Sequence, residues 1–215
     1  MRSLAPEDIN QFEKRLMLRE QNKNSEHFRM VCANLEPKLR KEGTLIMVTS
    51  PCFNVEHSMI TAKLAIGFAE QGKKTLLIDA KFRQPTLHNF FHLNHSRGLA
   101  NVMLQDESIR LYTRPSFVSN LSVLPAGTAS EPYAEIWGSG KLEKVGKGLR
   151  QDYDVVLFDA PPLLMYSDSQ LLAGYCDGVV LVIKERQTKK EEVLLTKSHL
   201  ERANKEIYGV VYQTR

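Results

Sequence analysis

Six short apolar runs recur along the chain, and segments with helical periodicity separate them. They lie at residues 45–49, 75–79, 121–125, 154–159, 178–183 and 207–212. The first run lacks the alternation of apolar and polar residues that marks a half-exposed strand, which is typical of a strand covered on both faces. Because parallel strands need long crossover connections, this order predicts an α/β fold with a doubly wound, mainly parallel sheet and helices on both faces.

The helical periodicity is clearest directly after the first strand. From Ser58 onward, Ile60, Leu64 and Phe68 recur at four-residue intervals, and Gly72 ends the pattern. A side chain every four residues falls on one face of a helix, so this segment predicts a helix that packs against the sheet.

Helices are also predicted near both ends of the chain. Residues 6–19 carry an apolar stripe, and a second helix starts at about Ser25, a residue type favoured at N-caps. Thr188 and Glu191 have the spacing of a capping box, which predicts that the last helix begins there.

Composition limits the number of domains and the kinds of partner. The chain has 215 residues, of which 42% are hydrophobic and 25% charged, so residues 1–215 are predicted to form a single domain, with a helical segment 1–40 and an α/β core 44–213. No apolar run approaches the roughly 20 residues of a membrane span, and we expect a cytoplasmic protein. The net charge of +4 is spread along the chain, which indicates no nucleic-acid partner.

Candidate chemistry lies where the strands end. Residues 51–58 lie between the first strand and its helix, where a phosphate-binding loop would read G-x-x-x-x-G-K-[ST], and only Ser58 matches that pattern. Two later strands end in Asp79 and Asp159. Since open α/β sheets bind ligands at the carboxyl ends of their strands, we expect these carboxylates within about 8 Å of each other at that edge.

Four segments together carry a family resemblance. TSPCFNVEHSM (residues 49–59) aligns with TS-x-x-PGEGKST, and LLIDAKFRQP (76–85) with LLIDADLRRP. NLSVLPAG (120–127) matches NL-x-VLP-x-G, and GVVYQ (209–213) stands where the family has GVVLN. The chain thus resembles the CpsD/CapB-type bacterial tyrosine kinases of capsule and exopolysaccharide synthesis, which belong to the ParA/MinD-like class of P-loop NTPases.

The resemblance implies a set of functional residues. The cofactors would be ATP and Mg²⁺, and Asp79 would be catalytic. The implied nucleotide-binding residues are Phe53, Asn54, Val55, Glu56, His57, Ser58, Met59 and Gln213. The implied metal ligands are Ser58, Asp79 and Asp159, and the implied oligomerisation residues are Glu26 and Arg29.

The chain departs from the family at the residues that handle phosphate. Glu56 would repel a phosphate oxygen about 4 Å away by about 4 kcal/mol per unit charge at an effective dielectric of 20. His57 replaces the loop lysine and is mostly neutral at pH 7. Lys81 stands where the family has the presumed base for the tyrosine hydroxyl. These substitutions predict an impaired or inactive member that acts as a regulatory binding partner.

The resemblance implies partners, and other functions remain open. The implied partner is a membrane polysaccharide co-polymerase, with an active paralogous kinase or a self-oligomer as alternatives, and contact with the inner face of the cell membrane would pass through that partner. The alternative function is an active ATP-dependent protein-tyrosine kinase of the same family. A ParA/MinD-like ATPase is less well supported, because Cys52 stands in the place of the signature lysine of those proteins.

Structural interpretations of the same residues also remain open. Asp79 and Asp159 are alternatively caps for loop backbone at strand ends, and His57 and Ser58 alternatively cap a helix. The Glu26 and Arg29 side chains are alternatively a solvated helix face. Glu56 and Lys81 form either an ion pair in place of a phosphate or two unrelated solvated charges.

Overall fold

The computed structural model describes residues 23–53, 57–129, 133, 136–137 and 140–214, with the side chains described from Glu26 onward. The predicted helix within residues 6–19 lies outside these ranges, and so do Asn54, Val55 and Glu56 of the loop.

A seven-stranded sheet forms the centre of the fold, in the order β3-β4-β2-β5-β1-β6-β7. All neighbouring pairs are parallel except β3 and β4, which confirms the doubly wound, mainly parallel sheet. The strands are β1 (Thr44–Thr49), β2 (Thr75–Asp79), β3 (Arg114–Pro115), β4 (Leu121–Leu124), β5 (Val155–Asp159), β6 (Gly178–Lys184) and β7 (Glu206–Gln213). The six predicted strands are all present, and β3 is additional, because two residues are too short to form a pattern.

Helices connect these strands and cover the sheet. The α-helices are α1 (Lys23–Leu35), α2 (Ser58–Glu70), α3 (Leu87–Phe90), α4 (Leu99–Gln105), α5 (Lys141–Asp152), α6 (Ser167–Tyr175) and α7 (Lys190–Arg202). Short 3₁₀ turns lie at Glu36–Lys38 and Ile109–Leu111. Helix α2 ends two residues before Gly72, whose φ of +85° lies in the left-handed region that glycine adopts without strain.

The start of α7 differs from the sequence prediction by one residue. The backbone N–H of Lys189 donates to the carboxylate of Glu192 at 3.0 Å, so Glu192 and not Glu191 satisfies the helix start. The hydroxyl of Thr188 instead accepts the backbone N–H of Lys184 at 3.0 Å, in the turn after β6. The predicted capping box is therefore wrong, because this turn already uses the threonine side chain.

The core lies in two layers, one on each face of the sheet. Leu45 and Met47 pack into the layer that holds α4, α5 and α6, whereas Ile46 and Val48 pack into the layer that holds α1 and α2. Every residue of β1 is buried. Both faces of this strand therefore meet apolar side chains, which explains why its sequence is continuously apolar.

Three strands end together at one edge of the sheet. Val48 of β1 is the register partner of Asp159, and Asp159 is in turn the register partner of Asp79. The chain leaves β1 at this edge and enters α2 at Ser58, with His57 as the residue before the helix. The edge therefore brings the loop, its helix and the two aspartates together, as the sequence predicts.

Candidate functional site

Two buried carboxylates form the floor of the candidate site. Asp79 and Asp159 are both fully inaccessible to solvent and occupy matched positions on adjacent strands, which lie about 4.8 Å apart in a sheet. Burial raises the pKa of Asp79 above its usual range, and the neighbouring charge of Asp159 raises it further. The site therefore concentrates negative charge that needs nearby donors or a cation.

Backbone N–H groups satisfy the carboxylate of Asp79. Its Oδ1 accepts the N–H of Lys81 at 3.1 Å, and its Oδ2 accepts the N–H groups of Thr86 and Leu87, each at 2.9 Å. These bonds close the loop between β2 and α3. The capping role considered from the sequence is thus present for Asp79, and both of its oxygens are already engaged.

The side chain of Lys81 reaches across the site to the other aspartate. Its Nζ lies 3.1 Å from Oδ2 of Asp159, and it also donates a hydrogen bond to the hydroxyl of Ser58. The contact with Asp159 is an ion pair without hydrogen-bond alignment, since Oδ2 has no hydrogen-bond partner among the described residues. The lysine side chain is 13% exposed, so this ammonium is largely shielded from water. It therefore contacts two of the three residues that the resemblance assigns to Mg²⁺.

The other oxygen of Asp159 faces α2. The Thr61 hydroxyl donates to Oδ1 at 3.0 Å, and Nε2 of His57 lies 3.6 Å from the same oxygen. His57 is 3% exposed, and its Nε2 lies 2.7 Å from the carbonyl oxygen of Ala160. Because a carbonyl only accepts, Nε2 carries the proton in this contact. The imidazole at the loop-lysine position is therefore bound to the end of β5.

Three further predicted nucleotide-binding residues, Phe53, Met59 and Gln213, lie within the described ranges. Phe53 is about half exposed, and its ring packs edge-on against Tyr166 with a centroid distance of 5.5 Å. Met59 and Gln213 line a cavity of about 480 Å³ between α1, α2 and β7. The amide oxygen of Gln213 is buried and has no hydrogen-bond partner among the described residues. The nucleotide-binding role of these residues stays a prediction.

An arginine near the site has contacts that the sequence did not reveal. The guanidinium of Arg83 lies 4.5 Å from the ring centre of Tyr133 and 4.3 Å from that of Tyr166. It also lies 2.5 Å from the carboxylate of Asp168, which is 2% exposed. Thr61 was likewise not predicted, although it follows Ser58 by three residues and therefore shares its helix face.

The predicted oligomerisation residues contact each other within the chain. Nη1 of Arg29 lies 3.5 Å from Glu26, and Nη2 lies 4.0 Å from Glu70 of the neighbouring helix. The side chains of Glu26 and Arg29 are 66% and 42% exposed, so they remain accessible. Their role in oligomerisation stays a prediction.

The arrangement does not fit a bound Mg²⁺. Mg²⁺ requires oxygen ligands at about 2.0–2.1 Å in octahedral geometry. Here the oxygens of Asp79 accept backbone N–H groups, while the ammonium of Lys81 contacts Ser58 and Asp159. Within the described ranges, no three His, Cys, Asp or Glu side chains are grouped so that they could hold a metal ion.

The described part of the chain also contains no helix that is both long enough and apolar enough to span a lipid bilayer.

Comparisons with known proteins extend over most of the chain. A family model described as an AAA domain matches residues 54–207. The tyrosine-protein kinase YwqD from Bacillus subtilis (strain 168) is 35% identical over 189 residues, which are 87% of this chain and 80% of that protein.

Solved structures show the same likeness in three dimensions. The chimerical protein CapA2B2 superimposes with a TM-score of 0.86 at 27% identity, over 98% of this chain and 99% of that one. The cell division ATPase MinD from Pyrococcus furiosus has a TM-score of 0.68 at 20% identity, over 79% of this chain and 71% of that one. At this identity the likeness to MinD shows the fold alone, which is that of a P-loop NTPase.

Proposed function

The chain belongs to the CpsD/CapB-type family of bacterial tyrosine-protein kinases, and from this premise we propose that it is a catalytically inactive member. It acts as a regulatory binding partner in capsular or exopolysaccharide synthesis. The observation that carries this proposal is the position of His57. The side chain at the loop-lysine position is buried and bound to the carbonyl of Ala160.

Phosphoryl transfer depends on fixed positive charge beside the transferring group. In this chain the Nε2 proton of His57 is directed at a carbonyl at the end of β5, within the protein. The loop therefore lacks the lysine cation that neutralises the β- and γ-phosphates in a P-loop. Because this cation is lost, we expect ATP binding to be weak or absent.

The position of the presumed base gives independent support. Lys81 stands there, and its ammonium is paired with Asp159. An ammonium has no lone pair to accept the proton of a tyrosine hydroxyl. Even with a nucleotide bound at this edge, the chain would therefore lack the base that activates the tyrosine hydroxyl in the family.

The regulatory role uses surfaces of the fold that do not require catalysis. We propose a membrane polysaccharide co-polymerase as the partner, with an active paralogous kinase or a second copy of this chain as the alternatives. Binding to the co-polymerase would hold the protein at the inner face of the cell membrane. The exposed Glu26 and Arg29 side chains are the proposed contacts for self-association.

An active kinase is the second candidate, and one observation favours it. Ser58, Asp79 and Asp159 lie at the same sheet edge, although the described contacts engage all three with protein groups. The two candidates differ in whether those contacts open when nucleotide is present.

The test is incorporation of labelled phosphate by the purified protein with ATP and Mg²⁺. We expect no tyrosine phosphorylation of itself or of a tyrosine-containing polymer, and a complex with the cytoplasmic segment of the co-polymerase in sedimentation analysis. Incorporation that is lost in Asp159→Asn, with folding checked by circular dichroism, would overturn the inactive assignment. If the protein associates with none of the three proposed partners, which are the co-polymerase, a paralogous kinase and a second copy of itself, the regulatory role is overturned.

A further inference from the structure

We propose that the ammonium of Lys81 is a resident cation that takes the place of Mg²⁺ between Ser58 and Asp159, so that this site excludes divalent cations. This inference rests on the proposed function, because the family resemblance is what implies Ser58 and Asp159 as metal ligands. It concerns Lys81 of this chain, which stands where the family resemblance implies a carboxylate.

The contacts of the ammonium define the position. Nζ of Lys81 lies 3.1 Å from Oδ2 of Asp159 and donates to the Ser58 hydroxyl. A metal that used these two oxygens would need to lie about 2 Å from each, in the volume that the ammonium fills. Two cations in that volume would also repel each other strongly at such short range.

The backbone keeps the lysine in place. The N–H of Lys81 donates to Oδ1 of Asp79 at 3.1 Å, and Asp79 is the register partner of Asp159. The lysine therefore starts from a fixed point beside its acceptor. Because Asp159 is fully buried, a metal ion could replace the ammonium there only after losing most of its hydration shell. This cost of dehydration opposes exchange of the lysine for a hydrated metal ion.

The surrounding oxygens offer no alternative ligand set. Oδ1 of Asp159 accepts the hydroxyl of Thr61 at 3.0 Å and lies 3.6 Å from Nε2 of His57. Both oxygens of Asp79 accept backbone N–H groups. The described protein groups thus engage the oxygens of both carboxylates, and a metal would have to break several of these contacts.

The test measures Mn²⁺, a paramagnetic substitute for Mg²⁺, by electron paramagnetic resonance on the full chain without nucleotide. We expect the wild type to bind no Mn²⁺ at this site up to about 1 mM, near the weak limit of functional sites for hard divalent cations. Lys81→Asp restores the family carboxylate and is expected to bind Mn²⁺ at least about tenfold more tightly, with competition by Mg²⁺.

The matched control is Lys73→Asp, which makes the same change of charge at a lysine paired with Glu36 on the surface. It is expected to bind Mn²⁺ no better than the wild type. If Lys81→Asp does not fold by circular dichroism, Lys81→Gln removes the charge at similar size and is expected to bind Mn²⁺ more tightly than the wild type.

Two results would overturn the inference. One is Mn²⁺ binding by the wild type below about 1 mM that disappears in Ser58→Ala. The other is equal Mn²⁺ binding by the wild type and by every folded Lys81 variant. Mn²⁺ binding by a wild type that transfers no phosphate would refute the resident cation alone. Phosphate transfer by a wild type that binds no Mn²⁺ would refute the proposed function alone.

Discussion

Replacement of Lys81 by methionine tests how strongly the ion pair supports the fold. The change keeps most of the apolar length of the side chain and removes the ammonium. Asp159, which is fully buried, would then lose the cation 3.1 Å from its Oδ2. Breaking a buried ion pair from one side costs about 3–5 kcal/mol, because the remaining charge is uncompensated. Since the lysine side chain is 13% exposed and some water can enter, we expect about 3 kcal/mol.

Urea unfolding followed by circular dichroism measures this cost. With an m-value of about 2 kcal/mol/M, a loss of about 3 kcal/mol lowers the midpoint by about 1.5 M. Lys73→Met is the matched control, because Lys73 lies 2.9 Å from Glu36 with side-chain exposures of 33% and 55%. An exposed pair of this kind contributes about 0–1 kcal/mol.

A double-mutant cycle then separates the ion pair from other effects of the substitution. Asp159→Asn removes the partner charge, so Lys81→Met should cost at least about 1 kcal/mol less in that background. Equal costs in both backgrounds, or equal midpoints for Lys81→Met and Lys73→Met, would refute the reasoning that this pair is buried and coupled.

Three further predictions address other parts of the molecule. Gly98→Ala should lower the unfolding free energy by about 2 kcal/mol or more, because a Cβ there would lie 2.0 Å from the carbonyl oxygen of Pro125. The control Gly148→Ala in α5 should be neutral or stabilising, because a Cβ there has nothing within 4 Å, and similar melting temperatures of the two variants would contradict this. Iodoacetamide at pH 8 should label Cys52 first in the native protein. Burial raises the pKa of all three thiols, to about 12 for Cys32, but Cys52 is only partly buried whereas Cys32 and Cys176 are buried; mass spectrometry showing either of these first would count against it. The Glu56–Lys81 ion pair stays a prediction, and a cycle with Glu56→Gln and Lys81→Met supports it if the coupling exceeds about 0.5 kcal/mol, whereas strict additivity would leave it without support.

The sequence predicted the sheet well because buried parallel strands leave a strong pattern. Each of the six apolar runs became a strand, and the two aspartates followed from the ends of β2 and β5. Strand β3 could not be predicted, since its two residues carry no periodicity. The start of α7 was predicted one residue too early. Glu191 and Glu192 each lie three residues after a residue that could cap the helix, and only the backbone turn after β6 decides which of them is used.

The contacts within the site were harder to predict than its position. Sequence spacing brings Asp79, Asp159 and Ser58 to one edge, but the direction of the Lys81 side chain depends on packing between β2, β5 and α2. The same holds for His57, whose contact with Ala160 joins residues more than one hundred positions apart in the chain. Interactions of this kind depend on distances in the folded state, which local patterns do not contain.

The three backbone bonds to Asp79 affect how motif matches in such proteins can be interpreted. This aspartate closes the turn that leads into α3, so selection for folding alone is sufficient to keep it after any reaction has been lost. A search that counts acidic residues at strand ends would therefore score an inactive protein and an active one alike. If the ammonium of Lys81 takes the place of a metal ion as proposed, position 81, where no such turn depends on the side chain, is the better marker of metal-dependent chemistry in a homologous sequence.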